Sequence, residues 1–182
     1  MPELAENYPS VDMRSRFRAQ AWLVWAIALG VVLIWLAFIV APPFLITNGL
    51  DGLARQIYSF FSYICHQKPE RSFYVLGYQV AVCSRCFGVY FGLLAGIATY
   101  PLWRRVDDVE PLPRIWLFLS LVPIGIDWLL GVLDIWENTY ASRFITGMIL
   151  GFACAVFVVP AVVETARNLM GKRRHSVAAN IR

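Results

Sequence analysis

The stretch AWLVWAIALGVVLIWLAFIVA, residues 21–41, carries no charged side chain. As a helix rising 1.5 Å per residue it covers about 31 Å, the thickness of a bilayer's hydrocarbon core. A soluble helix of that length needs a polar stripe at helical spacing, and this stretch has none. Three more stretches read the same way. Residues 86–103 and 144–163 are uncharged, and residues 115–133 hold one charge, Asp127.

The remaining composition agrees. Of 182 residues, 59% are hydrophobic and 15% charged, against roughly 25% charged in an average soluble domain. The expected fold is therefore an all-α integral membrane domain of four transmembrane helices, with no second domain or repeat. About twenty residues precede the first span, and Pro42-Pro43 stand where a signal peptidase would need small residues. The first span is expected to be an uncleaved anchor.

Lys and Arg accumulate in cytoplasmic loops, which orients the chain. With both termini inside, the inner segments hold Arg14, Arg16, Arg18, Arg104, Arg105, Arg114, Arg167, Lys172, Arg173, Arg174 and Arg182. The outer ones hold Arg55, Lys68, Arg71, Arg85 and Arg143. Eleven against five predicts an N-in, C-in, multi-pass protein of the cell membrane. Residues 1–20 then form a cytoplasmic segment, 21–167 the membrane domain with an outer loop at 44–85, and 168–182 a basic cytoplasmic tail. That tail includes His175 and is expected to be solvated at the membrane surface, near anionic lipid. The net charge of +4 follows from this topology; no basic, aromatic-interleaved polar surface points to nucleic acid. Trp22, Trp25, Trp103, Trp116 and Trp136 are expected at the headgroup layer, with Trp35 and Trp128 packed between helices.

Small residues let membrane helices approach closely. Gly88, Gly92 and Gly96 share one face of the second span, and Gly147 and Gly151 one face of the fourth. These faces are expected to cross, within one chain or in a homo-oligomer.

The outer loop opens with the turn formers Asn48-Gly49 and Asp51-Gly52. Leu53, Ile57, Phe60, Phe61 and Ile64 then recur at helical spacing, predicting a short amphipathic helix. Pro69 prevents its continuation. The β-branched and aromatic run at 72–82, with Gly77 within it, predicts a small hairpin.

Cys65, His66, Cys83 and Cys86 frame that hairpin. Three thiolates and an imidazole make a tetrahedral zinc set, and Cys-x-x-Cys is a common half-site. The adjacency of Cys65 and His66 is tight for two ligands, so one of them is a neighbour in an alternative arrangement. Two other readings stand beside zinc. Cys86 at a helix start beside Arg85 suits thiol–disulfide exchange, and a structural disulfide suits an oxidising compartment. Cys154, in the fourth span, is expected to pack as a small apolar residue.

An ionised Asp at a span's centre costs on the order of 2.5–3.5 kcal/mol on insertion scales, so Asp127 needs a partner; Arg85 and Arg143 are the candidates. With Arg71 and Asn138 they are expected to form a cationic pocket on the cysteine side, fit for a phosphate or anionic headgroup. Ser142 and Thr146 lie near that level. Asp127 is also the candidate proton carrier.

The runs Cys65-His66-Gln67-Lys68-Pro69-Glu70-Arg71-Ser72 and Cys83-Ser84-Arg85-Cys86-Phe87-Gly88-Val89-Tyr90-Phe91-Gly92 resemble a family of small uncharacterised membrane proteins of bacteria and archaea, grouped as a domain of unknown function. Its pattern is Cys-His-Gln, a nearby Arg-Ser, Cys-x-Arg-Cys and Gly-x-x-x-Gly. Pro123, Asp127, Asn138, Arg143, Thr146, Gly147 and Gly151 match later positions, so the resemblance spans about residues 50 to 155. Where similar sequences follow the Asp with Gly, this chain has Trp128, expected to narrow any pocket beneath it. The resemblance groups these residues and implies no activity. Three functions follow: a zinc-dependent protein that binds or acts on anionic lipid headgroups, a membrane thiol–disulfide oxidoreductase, or a non-catalytic subunit or assembly factor of a membrane complex.

Overall fold

A computed structural model describes residues 8–108, 110, 112–133, 135 and 138–179, with side chains described between 15 and 169. Trp136, Arg14, Arg182 and the basic side chains at 172–175 lie outside the described side chains.

Helix α1 (Tyr8–Thr47) is followed by the short α2 (Asp51–Ser62), one 3-10 turn at Pro69–Arg71, strands β1 (Ser72–Val75) and β2 (Tyr78–Cys83), then α3 (Ser84–Trp103), α4 (Ile115–Val132) and α5 (Tyr140–Ala179). Four helices among the described residues are long and apolar enough to cross a membrane, over Ser15–Thr47, Ser84–Trp103, Ile115–Val132 and Tyr140–Leu169. The first and last extend well past the apolar stretches at 21–41 and 144–163. The first helix runs on through Pro42 and Pro43, which directly follow its apolar stretch, and Pro160 is likewise absorbed inside α5.

Helix α1 stops at Asn48-Gly49, where Gly49 takes a positive φ of 77°, a backbone that only glycine adopts freely. The Phe44 carbonyl at this end accepts the Asn48 amide at 3.3 Å and also Thr47 Oγ1 at 2.9 Å and Asn48 Nδ2 at 2.7 Å. The chain turns back into α2, which buries Ala54, Ile57 and Phe61 on one face. Trp35 of α1 packs edge-on against Phe60 and Phe61 of α2 and against Tyr90 of α3.

The hairpin closes through Leu76-Gly77, both at positive φ (51° and 82°). Two consecutive positive-φ residues give the turn whose twist matches paired strands. Val75 pairs with Tyr78 and Tyr74 with Gln79, and an irregularity then brings Ser72 opposite Cys83. Val80, Ala81 and Val82 are all buried, packed mainly against α1.

Helices α3 and α5 meet backbone to backbone. A Cβ added to Gly88 or Gly92 would collide with the Phe144 or Met148 carbonyl, and one on Gly147 or Gly151 with the Arg85 or Val89 carbonyl. At Gly96 the obstacle is the Ala155 methyl. Helix α4 packs chiefly on α5. Two clusters fill the interior. One, at the hairpin end, holds Leu36, Ile39, Ile57, Phe61, Cys65, Ala81 and Val82. The other, at the far end, gathers Ala21, Ile97, Tyr100, Val106, Ala155, Val159 and Val163. Trp25 is tied to the far cluster by donating to the Ile97 carbonyl at 2.7 Å. Trp128 does not pack between helices: 57% of it is exposed, because α4 turns its Asp127 side inward and its Trp128 side out.

Candidate metal centre

Three chain segments deliver three thiols to one point. The Cys65 and Ile64 amides still donate to the Phe61 carbonyl, at 2.9 and 3.1 Å, so the end of α2 runs on for a turn and Cys65 falls beneath Phe61. Both are buried. Gln67 then takes a positive φ of 46° and reverses the chain. Its side chain holds that reversal in place, with Nε2 donating to the Tyr58 and Ala81 carbonyls at 2.8 Å each. In return Gln79 Nε2 donates to the Gln67 carbonyl at 2.8 Å and to Ser72 Oγ at 3.0 Å. Tyr58 donates its hydroxyl to the Gln79 carbonyl, and burial raises that phenol above its ordinary pKa. The reversal, α2 and the hairpin thus form one hydrogen-bonded unit.

Cys83 ends β2 and caps the start of α3, with Cys86 one turn in. The ligand atoms of Cys65, Cys83 and Cys86 lie within 4.8 Å of one another. Three sulfurs on one tetrahedral zinc at about 2.3 Å sit about 3.8 Å apart, so this trio could hold a metal ion with little movement. All four cysteines are free thiols. The Cys83 amide donates to Cys65 Sγ at 3.2 Å, an orientation that supports a thiolate or metal-bound sulfur. Hydrogen bonds from the Cys65 and Cys86 thiols pull Cys83 well below the ordinary thiol pKa, and the amides of Cys86 and Arg85 add to this.

His66 is not part of this group among the described residues. Cys65 turns into the core, and His66, next in the chain, turns outward and is exposed. It stands instead on the lining of a cleft of about 360 Å³, with Ile64, Cys65, Lys68, Arg71, Cys83, Arg85, Cys86 and Arg143.

Arg71, Arg85 and Arg143 therefore share that cleft, and Lys68, not singled out by charge alone, joins them. Asp127 and Asn138 lie behind it. Arg85 forms an ion pair with Asp127, whose side chain is 8% exposed. Asn138 Nδ2 donates to the Asp127 backbone carbonyl at 2.7 Å and to its carboxylate at 3.3 Å. Thr146 Oγ1 donates to the Ser142 carbonyl at 2.9 Å, which holds it within α5. Trp128, exposed on α4, does not line the cleft. Gln67 and Lys68 stand inside the run that carries the resemblance, without a site role that residue type announces, and Gln79 has no such mark.

Comparison with known proteins gives no activity but a consistent kinship. The family model described as "Predicted membrane protein (DUF2085)" matches residues 65–157. The chain is similar to "Uncharacterized protein MJ1492" of Methanocaldococcus jannaschii, 34% identical over 143 residues, covering 76% of this chain and 91% of that one. It is also similar to an uncharacterized protein of Methanothermobacter thermautotrophicus, 37% identical over 98 residues, covering 53% of this chain and 85% of the relative. No solved structure matches. The match opens on Cys65 and runs through the hairpin, the other two cysteines, Asp127 and the glycine face of α5, and on that footing the chain belongs to the family of predicted membrane proteins DUF2085.

Proposed function

We propose that this chain is a zinc-binding protein of the cell membrane, with the metal held by Cys65, Cys83 and Cys86 at the outer surface and a fourth position open to the cleft. The observation that carries the reading is the convergence of three thiols within 4.8 Å, on a hydrogen-bonded framework. Thiolates are soft ligands that suit zinc, and three protein ligands with one open position is the pattern of a reactive zinc site. An open position can polarise an oxygen of a bound anion, and the cationic cleft is suited to present an anionic lipid headgroup to it. His66, on the lining, is a second-rank ligand. Asp127, already held by Arg85 and Asn138, is better suited to orienting Arg85 than to carrying a proton. The orientation rests on the excess of basic residues in the segments that would face the cytoplasm.

The test is elemental analysis of the detergent-purified chain with thiol titration on the same sample. The expected result is about one zinc per chain, with the trio unreactive until a chelator is added. Cys65→Ser, Cys83→Ser and Cys86→Ser should each lose the metal, whereas His66→Ala and Cys154→Ser should keep it. A metal-free chain carrying a reducible disulfide would overturn the zinc reading and favour thiol–disulfide exchange.

A further inference from the structure

We infer that the cleft beside the thiol trio binds a dianionic phosphoryl group, a phosphate monoester or free phosphate, through Arg143, Arg71 and Lys68, with the Arg85 charge beside them. The inference deepens the zinc reading and rests on it for one term of the charge balance.

Charge is the first argument. Four cationic side chains line one cleft of about 360 Å³. Among the described residues, only Arg85 has a buried carboxylate, Asp127. The ion pair of Arg71 with Glu70 spans 4.0 Å, with both side chains half or more exposed, and such pairs hold little energy. Lys68 and Arg143 have no carboxylate partner among the described residues. Zinc on three thiolates carries one net negative charge, so the four lining cations exceed that centre and Asp127 by two positive charges, with Glu70 65% exposed beside Arg71. A dianion answers that excess more fully than a phosphodiester, with its one charge.

Hydrogen-bond supply is the second argument. Arg85 Nε is sealed from solvent and its Nη2 is held by Asp127, so the donors shown open to a ligand are those of Lys68, Arg71 and Arg143 on the cleft wall. Guanidinium groups suit phosphate oxygens because they offer paired donors in a fixed plane.

Space and position complete the case. The volume equals that of about a dozen waters, enough for a phosphoryl group and part of what it is attached to. The cleft stands where α3 and α5 begin, at Ser84 and Tyr140, which is the level of lipid headgroups for helices that span a bilayer. The same chemistry is met by a lipid ending in a monoester phosphate and by free phosphate.

The experiment places the full chain in nanodiscs of phosphatidylcholine and counts zinc on each sample. One arm titrates inorganic phosphate by calorimetry. The other uses discs doped with phosphatidic acid and counts bound lipid by native mass spectrometry. Binding in both arms, or in the lipid arm alone, supports the site, and the second outcome names a lipid as its source. Arg143→Gln and Arg71→Gln should each weaken binding by roughly tenfold to a hundredfold, the scale of a charge-assisted hydrogen bond. Zinc content should not change, and Arg143→Lys should recover part of the loss. Zinc-loaded chain that binds neither probe overturns this inference and leaves the zinc reading standing. Metal-free chain that still binds phosphate, with the same loss in Arg143→Gln, overturns the zinc reading and supports the phosphate site. Binding in both arms that ignores every one of these substitutions overturns the assignment of residues.

Discussion

Arg85 is the residue on which most of the site depends. It sits between Cys83 and Cys86, lines the cleft, and reaches Asp127 on another helix. Its side chain is 24% exposed, so removing its counter-ion leaves a largely buried charge. Breaking such a pair from one side costs about 3 kcal/mol, whereas removing both partners costs far less. Asp127→Ala is therefore expected to lower the unfolding temperature in detergent substantially, and Asp127→Ala combined with Arg85→Gln to recover a good part of it. If the double variant is as unstable as the sum of the single ones, the pair is not the cause. The need for a partner for Asp127 was legible, since a lone charge within an apolar stretch demands one. Which of Cys65 and His66 would face the thiol pair was not. That choice follows from the way α2 runs on past Ser62 and from the positive φ at Gln67, and residue type alone does not announce a left-handed backbone at glutamine.

At the scale of elements, the glycine faces of α3 and α5 make the clearest case. A methyl group at Gly92 would meet the backbone of Met148, which has no rotamer by which to yield. A methyl group at Gly125 or Gly30 would meet nothing within 4 Å. Gly92→Ala is expected to destabilise by about 1–3 kcal/mol, the usual cost of overpacking. Gly125→Ala should be neutral or slightly stabilising, as alanine is the better helix former. Thermal melts of both variants in one detergent check the contrast; equal melts would mean that the helices do not cross here. Spacing alone made the two glycine faces visible. Their register was hidden, because it depends on which turn of α5 lies opposite Gly88. Likewise the apolar spacing of 53–64 marked α2, while the bulge that sets Ser72 opposite Cys83 left no trace in the alternation of residues.

Across the whole molecule, two observations give the chain a polarity. The thiol trio and cationic cleft occupy the hairpin end, and the turn Leu76-Gly77 is exposed there. Glu110 lies in the connection between α3 and α4 at the other end and is also exposed. The proposed orientation, with the basic excess toward the cytoplasm, requires a cysteine at Leu76→Cys to react with a membrane-impermeant maleimide on intact cells. One at Glu110→Cys should react only after permeabilisation. The reverse pattern would put the thiols in a reducing compartment, where a metal site persists and a structural disulfide does not. Hydropathy made the spanning helices readable because lipid tolerates so few departures from an apolar helix. Nothing comparable constrains a surface cleft, so the place of Lys68 in the site follows from the path of the backbone and not from any pattern of residues.

The ion pair between α3 and α4 also bears on the order in which the chain is made. Arg85 precedes Asp127 by 42 residues, so the arginine is already at the membrane when the aspartate leaves the ribosome. The carboxylate can thus be met by its counter-ion as it enters lipid.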